Sequence, residues 1–427
     1  MRQERTNIFF GVDWFIVLLY ALLVVFGWMN IYAASFTEKD HGILNFSTRY
    51  GKQLIWIILS IPIIIFTLFI SSKFYERFAS IFYLICIASL IGLFFFGAKI
   101  NGARSWYRFG EAVPIGIQPS EFAKAFTALA IAKLLSDRKY NLGLVKNQVK
   151  AFFIIFLPAG LIAVHDAGSA VIYLSFFFVL NREGLTLAYT ILGVLAIVLF
   201  LLTLLLGIKI LLIIVLNLIS IYVIYNIYKD KRFLRFNWLK VVSLYVMTTI
   251  FIFGVDFAYN NVLKSHQRDR FEVLLGLTDD TRNIGYNSNQ SIQTISSGGF
   301  AGKGYLKGDR TQGNFVPEQD TDYIFSTVGE EWGFLGTSIV IILFVVLLFR
   351  IISRAEQHKN KFGRIYGYGV ASILFLHVFV NVGMVIGLLP TVGIPLPFFS
   401  YGGSSLWGFT LLLFIFVKLD ASKSYDY

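Results

Sequence analysis

The feature that most constrains this chain is a series of apolar runs long enough to cross a lipid bilayer. Asp13 to Ala34, Leu54 to Ile70, Phe78 to Gly97, Phe334 to Phe349 and Ile365 to Leu389 reach or approach the length a hydrocarbon core demands. With 56% of residues hydrophobic and only 15% charged, lipid must solvate much of the surface. The fold class this predicts is all-α, a polytopic transmembrane helix bundle.

Charge orients the bundle. The net charge of +12 is concentrated in alternate short loops: Lys73 and Arg77; Arg138, Lys139, Lys146 and Lys150; Lys229, Lys231, Arg232 and Arg235; Arg350, Arg354, Lys359, Lys361 and Arg364. The positive-inside bias makes these loops cytoplasmic. The basicity is therefore topological, with at most a contact to anionic membrane lipids, and no nucleic-acid partner is expected. The first apolar run exceeds the usual core of a cleaved signal, so it reads as the first span. Cys86 is the only cysteine, which excludes a disulfide framework.

With both termini inside, spans fall near 13–34, 54–70, 78–97, 121–136, 151–165, 169–181, 185–206, 208–228, 240–262, 334–349, 365–389 and 402–418, about twelve in all. No repeat stands out, so residues 1–427 read as a single transmembrane domain. Three outer segments, 98–120, 264–332 and 390–405, are rich in Gly, Pro, Trp and charge. Function is expected in such connecting segments. The run Gly298-Gly299-Phe300-Ala301-Gly302-Lys303-Gly304 lacks the Ser or Thr and the strand-to-helix setting of a phosphate loop, so close backbone packing is the better reading.

The longest outer segment contains Pro317-Glu318-Gln319-Asp320-Thr321-Asp322-Tyr323-Ile324-Phe325 and then Gly329-Glu330-Glu331-Trp332-Gly333-Phe334. These resemble the signature of the SEDS family (shape, elongation, division and sporulation), peptidoglycan glycosyltransferases of the bacterial cytoplasmic membrane. Asn101 to Trp106, Gln118-Pro119-Ser120-Glu121-Phe122-Ala123-Lys124, an Asp166-Ala167-Gly168 corner and Pro390 to Ser405 extend the resemblance across nearly the whole chain. The wording from Gly313 to Gln319 is closer to the rod-shape (RodA) branch than to the division (FtsW) branch. The family's core has about ten spans, so 185–228 looks like an inserted helical hairpin. The corner the family writes with Gln-Pro is Val164-His165 here.

The resemblance implies polymerisation of lipid II during cell elongation, with undecaprenyl pyrophosphate leaving and a class B penicillin-binding protein as partner. It puts Asp322 at the catalytic position; spacing alone equally allows a carboxylate capping the next helix. Glu318, Asp320 and Asp322 alternate, so an extended backbone would put them on one face, able to hold Mg²⁺ or Mn²⁺; a solvated loop is the plainer reading of Asp320. Glu121 and Lys124 stack three residues apart at the start of a span, either as a structural ion pair or facing a cavity below the active site. Arg270 and Arg104 suit phosphate contact or interfacial snorkelling. Trp106 suits a sugar ring or the aromatic belt. His377 and Asn381 read as interhelical hydrogen bonding. A lipid II flippase and a non-catalytic scaffold for a transpeptidase are the competing functions.

Overall fold

The computed structural model describes residues 11–36, 45–100, 103–108, 116–230, 233–262 and 285–422, with isolated positions 268, 272, 275 and 277. Lipid offers the backbone no hydrogen-bonding partner, so apolar runs must satisfy their own amides as helices. The chain does this with α1 (Trp14–Ser35), α2 (Arg49–Phe69), α3 (Ser72–Phe96), α4 (Pro119–Ser136) and α5 (Val145–Ala163). The short α6 (Ala167–Val171) and α7 (Phe176–Arg182) follow, and then α8 (Ala188–Lys229) and α9 (Phe233–Phe257). The last part holds α10 (Tyr286–Gly298), α11 (Asp309–Gln312), α12 (Ile324–Glu356), α13 (Lys361–Val385) and α14 (Gly403–Ser422). Among the described residues nine helices are long and apolar enough to cross a membrane, and Ala167–Arg182 forms a shorter apolar stretch. α4 is not among the nine. It carries Glu121, Lys124 and Lys133, which the bundle interior must accommodate.

Two details differ from the sequence reading. Residues 98–117 are not all loop: β1 (Ala98–Ile100), β2 (Ala103–Arg108) and β3 (Gly116–Ile117) form an antiparallel sheet in the order β1-β2-β3. The helix expected to start near Phe334 starts at Ile324, and Gly333 (φ 63, ψ −159) breaks it. That dihedral suits glycine, and a Cβ there would lie 2.3 Å from the Gly302 amide. The 298–304 glycine run lies against this break, with Phe334 N–H bonding Gly299 O and Lys303 N–H bonding Glu330 O, each at 3.0 Å. Contacts group the chain into two compact units, Met1–Leu185 with Asn287–Tyr427, and Thr186–Tyr286, because α8 and α9 pack chiefly on each other. The 42 residues of α8 would run about 63 Å at 1.5 Å per residue, and non-helical Gly207 interrupts them.

In the first unit small residues and polar contacts bring the helices together, as membranes favour. The Tyr20 hydroxyl lies 2.9 Å from Thr410 Oγ1, and the Tyr366 hydroxyl donates to Leu412 O. The end of this unit where α1 begins and α14 finishes is tied by charge. Asp13, 2% exposed, accepts from the α1 amides of Phe15 and Ile16 and pairs with Arg350 and Arg354. Arg354 continues to the buried Asp420, beside His358. Asp13→Ala removes a cap and two charge-assisted pairs while its arginines keep partial access to solvent, so it should destabilise the fold by about 1–3 kcal/mol, read as a lower melting temperature in detergent.

Candidate active site

The opposite end of the first unit holds Asp322, half-buried on a turn that ends where α12 begins. Residues 317–323 are consecutive turns closed by Thr321 N–H and Tyr323 N–H onto Glu318 O, at 3.1 and 3.2 Å. This overturns the expectation that Glu318, Asp320 and Asp322 share one face, because alternation holds only for extended backbone. Among the described residues no group of three His, Cys, Asp or Glu could hold a metal ion. The three acids are thus not gathered into one ligand cluster on this turn. The residue in the cap position of α12 is Tyr323, one beyond Asp322.

The turn is clamped through its carbonyls. Asp320 O accepts from Tyr401 N–H at 2.9 Å, Thr321 O from Ser400 Oγ at 2.6 Å, and Asp322 O from Asn381 Nδ2 at 2.8 Å. Asn381 is fully buried and also donates to Ile394 O at 2.7 Å, while Ser400 Oγ accepts from Leu396 N–H. The 390–402 segment and α13 thus hold three successive peptide units. Gly393 (φ +76) lies against the carboxylate, and a Cβ there would stand 3.3 Å from Asp322 Oδ2. On the other side Gln319 Nε2 donates to Ala34 O and Thr311 O, tying the turn to the end of α1. Asp320 is buried against Arg49 of α2 rather than solvated. Burial, and then the Asp320 charge, raise the Tyr401 phenol above its usual range, so it stays neutral.

Beneath the turn, Glu121 and Lys124 are 3% and 2% exposed and pair at 2.9 Å. Lys124 Nζ is also 3.0 Å from His377 Nε2 and 4.4 Å from the Phe409 ring centroid. His377 Nδ1 faces Pro395 O at 3.3 Å. His377 and Asn381 are one turn apart on α13, so the buried cation reaches the loop that clamps Asp322. Gly408 lets α14 approach this pair, since a Cβ there would sit 2.9 Å from Glu121 O.

Glu330, in the second half of the motif, is fully buried and organises the preceding segment. It accepts from Lys303 Nζ at 2.7 Å and from the amides of Arg310 and Thr311. Its hydrogen bond raises the Lys303 ammonium above its usual range.

The remaining expected site residues are placed elsewhere. Arg104 donates to Phe94 O at the end of α3, and Trp106 packs over Gly116 in the small sheet. Neither is among the groups that hold the Asp322 turn. The sheet docks on α14, where Ser404 Oγ donates to Gly116 O. Glu318 is exposed and accepts from Thr321 Oγ1. Arg270 lies outside the described residues. The corner Asp166 caps α6 through Ser169, and Gly168 lies against Val392 O in the clamping segment. Arg49 and Ser400 were not singled out by the sequence. An arginine opening an apolar span looks like an ordinary interfacial anchor, and a serine in a Gly-rich loop carries no signal.

The chain matches the family model FTSW_RODA_SPOVE, described as "Cell cycle protein", over residues 13–240 and 236–425. It is 31% identical over 392 residues to the peptidoglycan glycosyltransferase MrdB of Escherichia coli (strain K12), covering 91% of this chain and 88% of that one. It is 31% identical over 434 residues to the peptidoglycan glycosyltransferase RodA of Treponema pallidum (strain Nichols), covering 96% and 98%. A chain of a solved peptidoglycan synthase complex superposes with a TM-score of 0.69 at 24% identity, over 96% of this chain and 98% of that one.

Asn381→Leu would remove the donor shared by the carbonyls of Asp322 and Ile394. At about 1–3 kcal/mol each, the variant should melt at a clearly lower temperature than the native chain in the same detergent.

Proposed function

Since this chain belongs to the FtsW/RodA/SpoVE family of cell-cycle proteins, we propose that it is a peptidoglycan glycosyltransferase that polymerises lipid II at the outer face of the bacterial cytoplasmic membrane. The observation that carries the reading is Asp322, a half-buried carboxylate on a turn whose peptide units are fixed from outside. A sugar hydroxyl is a poor nucleophile. Asp322 takes the proton of the acceptor's 4-hydroxyl as that oxygen bonds to the donor's anomeric carbon, and undecaprenyl pyrophosphate leaves with the electrons of the broken C–O bond. A single displacement inverts the anomeric centre, as in inverting glycosidases where one carboxylate activates the attacking oxygen. Glu121 and Lys124 act at one remove. Their charges are matched within the protein and support the clamping segment through His377 and Pro395.

The end carrying Arg350, Arg354 and Arg364 is placed in the cytoplasm, which puts Asp322 outside. The elongation (RodA) branch is favoured over the division (FtsW) branch by identity alone, 31% to MrdB and RodA against 29% to an FtsW that matches over a similar share of its own length. A class B penicillin-binding protein fits as partner, since the solved relative comes from a synthase complex that couples polymerization with crosslinking.

A lipid II flippase has one observation in its favour, the buried Glu121–Lys124–His377 group inside the bundle. Purified protein given lipid II in detergent, with and without such a transpeptidase, separates the readings. Polymerisation is the expected outcome, and Asp322→Asn should lower it by roughly 10²–10⁴-fold while the variant keeps its melting temperature. An unimpaired Asn variant would remove Asp322 from the mechanism, and a native protein that makes no polymer in detergent but moves lipid II across the bilayer of reconstituted vesicles would favour the flippase.

A further inference from the structure

One polar side chain stands among isoleucines on the exposed side of α8. The 208–229 stretch follows the break at Gly207, and its Ile210, Ile214, Asn217, Ile221, Ile224 and Tyr228 are all exposed. Their spacing alternates between four and three residues, the heptad pattern that keeps one stripe of a helix turned toward a partner helix. The pairing with α9 uses the other side. Leu211, Ile219 and Val223 are buried, and Ser220 Oγ lies 2.7 Å from the Tyr245 hydroxyl of α9. At 1.5 Å per residue Asn217 is about 14 Å along the helix from Ile208 and about 18 Å from Lys229, near the middle of a hydrocarbon core of about 30 Å. Among the described residues its carboxamide makes one hydrogen bond, from Nδ2 to Ile213 O one turn back in the same helix, at 2.7 Å. A carboxamide carries two N–H donors and a carbonyl acceptor. One N–H and Oδ1 are therefore left facing hydrocarbon, which has no partner to give them.

The group that satisfies both at once is a second carboxamide at the same depth. Another copy of this chain supplies it, because copies inserted with the same topology and related by a two-fold axis along the membrane normal set parallel helices side by side, each residue facing its own counterpart. We infer that the Ile210–Tyr228 stripe of α8 is the contact between two copies of this chain, with their Asn217 side chains hydrogen-bonded to each other across it. Each Oδ1 accepts from the other copy's free N–H, and the isoleucines on either side pack against their equivalents. Apolar packing alone chooses poorly between partners in a membrane, since lipid tails are as apolar as isoleucine. Asn217 thus sets both register and partner, as a single polar seam residue does in coiled coils. A different membrane helix would serve only if it carried a donor and an acceptor at that depth. The contact lies in the Thr186–Tyr286 unit and uses none of the groups around Asp322.

Two measurements on the full chain test this. The first is disulfide trapping in membranes, with Cys86→Ala removing the only cysteine. On oxidation Ile221→Cys should give a band of twice the chain's mass on a denaturing gel. Tyr222→Cys, equally exposed but off the stripe, should give several-fold less. The second is energy transfer between chains labelled at the C-terminus, in vesicles of phosphatidylethanolamine and phosphatidylglycerol, as the protein is diluted into lipid. The native chain should pair, and Asn217→Leu should need roughly tenfold more protein per lipid to pair to the same extent. That variant should keep its melting temperature, because the new side chain meets only lipid or its counterpart. Asn217→Gln, which retains a carboxamide, should recover most of the pairing. A native chain that stays monomeric at every dilution would overturn the proposal. So would a leucine variant that pairs as the native chain does, or equal trapping at positions 221 and 222.

Discussion

The structure around Asp322 depends on how its turn is held. Three consecutive carbonyls, those of Asp320, Thr321 and Asp322, are each bonded by a different donor, Tyr401 N–H, Ser400 Oγ and Asn381 Nδ2. A turn at a protein surface ordinarily gives its carbonyls to water and moves with it. Here the donors come from one loop and one buried helix position, so the carboxylate inherits the rigidity of α13. Preorganisation of this kind matters because a reacting group displaced by about 1 Å can cost 10²-fold in rate. Gly393 completes the arrangement, since its positive φ and missing side chain leave room for the carboxylate.

The same economy appears deeper in the bundle. Burying Lys124 without a partner would be prohibitive in a lipid-embedded protein, and Glu121, His377 and the Phe409 ring surround it. The pair fastens α4 to α13 at the level where His377 meets Pro395, below the clamp. At the far end Asp13, Arg350, Arg354 and Asp420 bind α1, α12 and α14 together. The helices are thus fixed by charge at one end and by loop hydrogen bonds at the other, with small residues letting them approach between. Gly27 is one of these, since a Cβ there would lie 2.6 Å from Phe399 O.

Much of this was legible in the sequence because lipid imposes strict rules. Hydrocarbon thickness sets span length, so the apolar runs mark the helices, and the motif residues mark the Asp322 turn. What was not legible depends on distant partners or local dihedrals. Glu318, Asp320 and Asp322 look like one face until the bonds to Glu318 O curl the backbone into turns. The helical stretch before Gly333 reads as loop because its stabilising contacts lie in the 298–304 segment. Arg49 meets Asp320 across 271 residues of sequence, and no local pattern announces such a pair. Arg104 and Trp106 sit within a recognisable motif, yet Arg104 bonds the end of α3 and Trp106 packs over β3.

The central claim is that the 390–402 loop positions Asp322, and Ser400→Ala tests it most directly, because it removes the hydroxyl that joins Leu396 to Thr321 while leaving every proposed reacting group in place. The measurement is the single-turnover rate of lipid II coupling, alongside the apparent KM. The account predicts a rate lower by roughly 10–10², with KM little changed and the protein still folded. A variant that couples at the native rate would contradict it, because the turn would then be held well enough without the clamp.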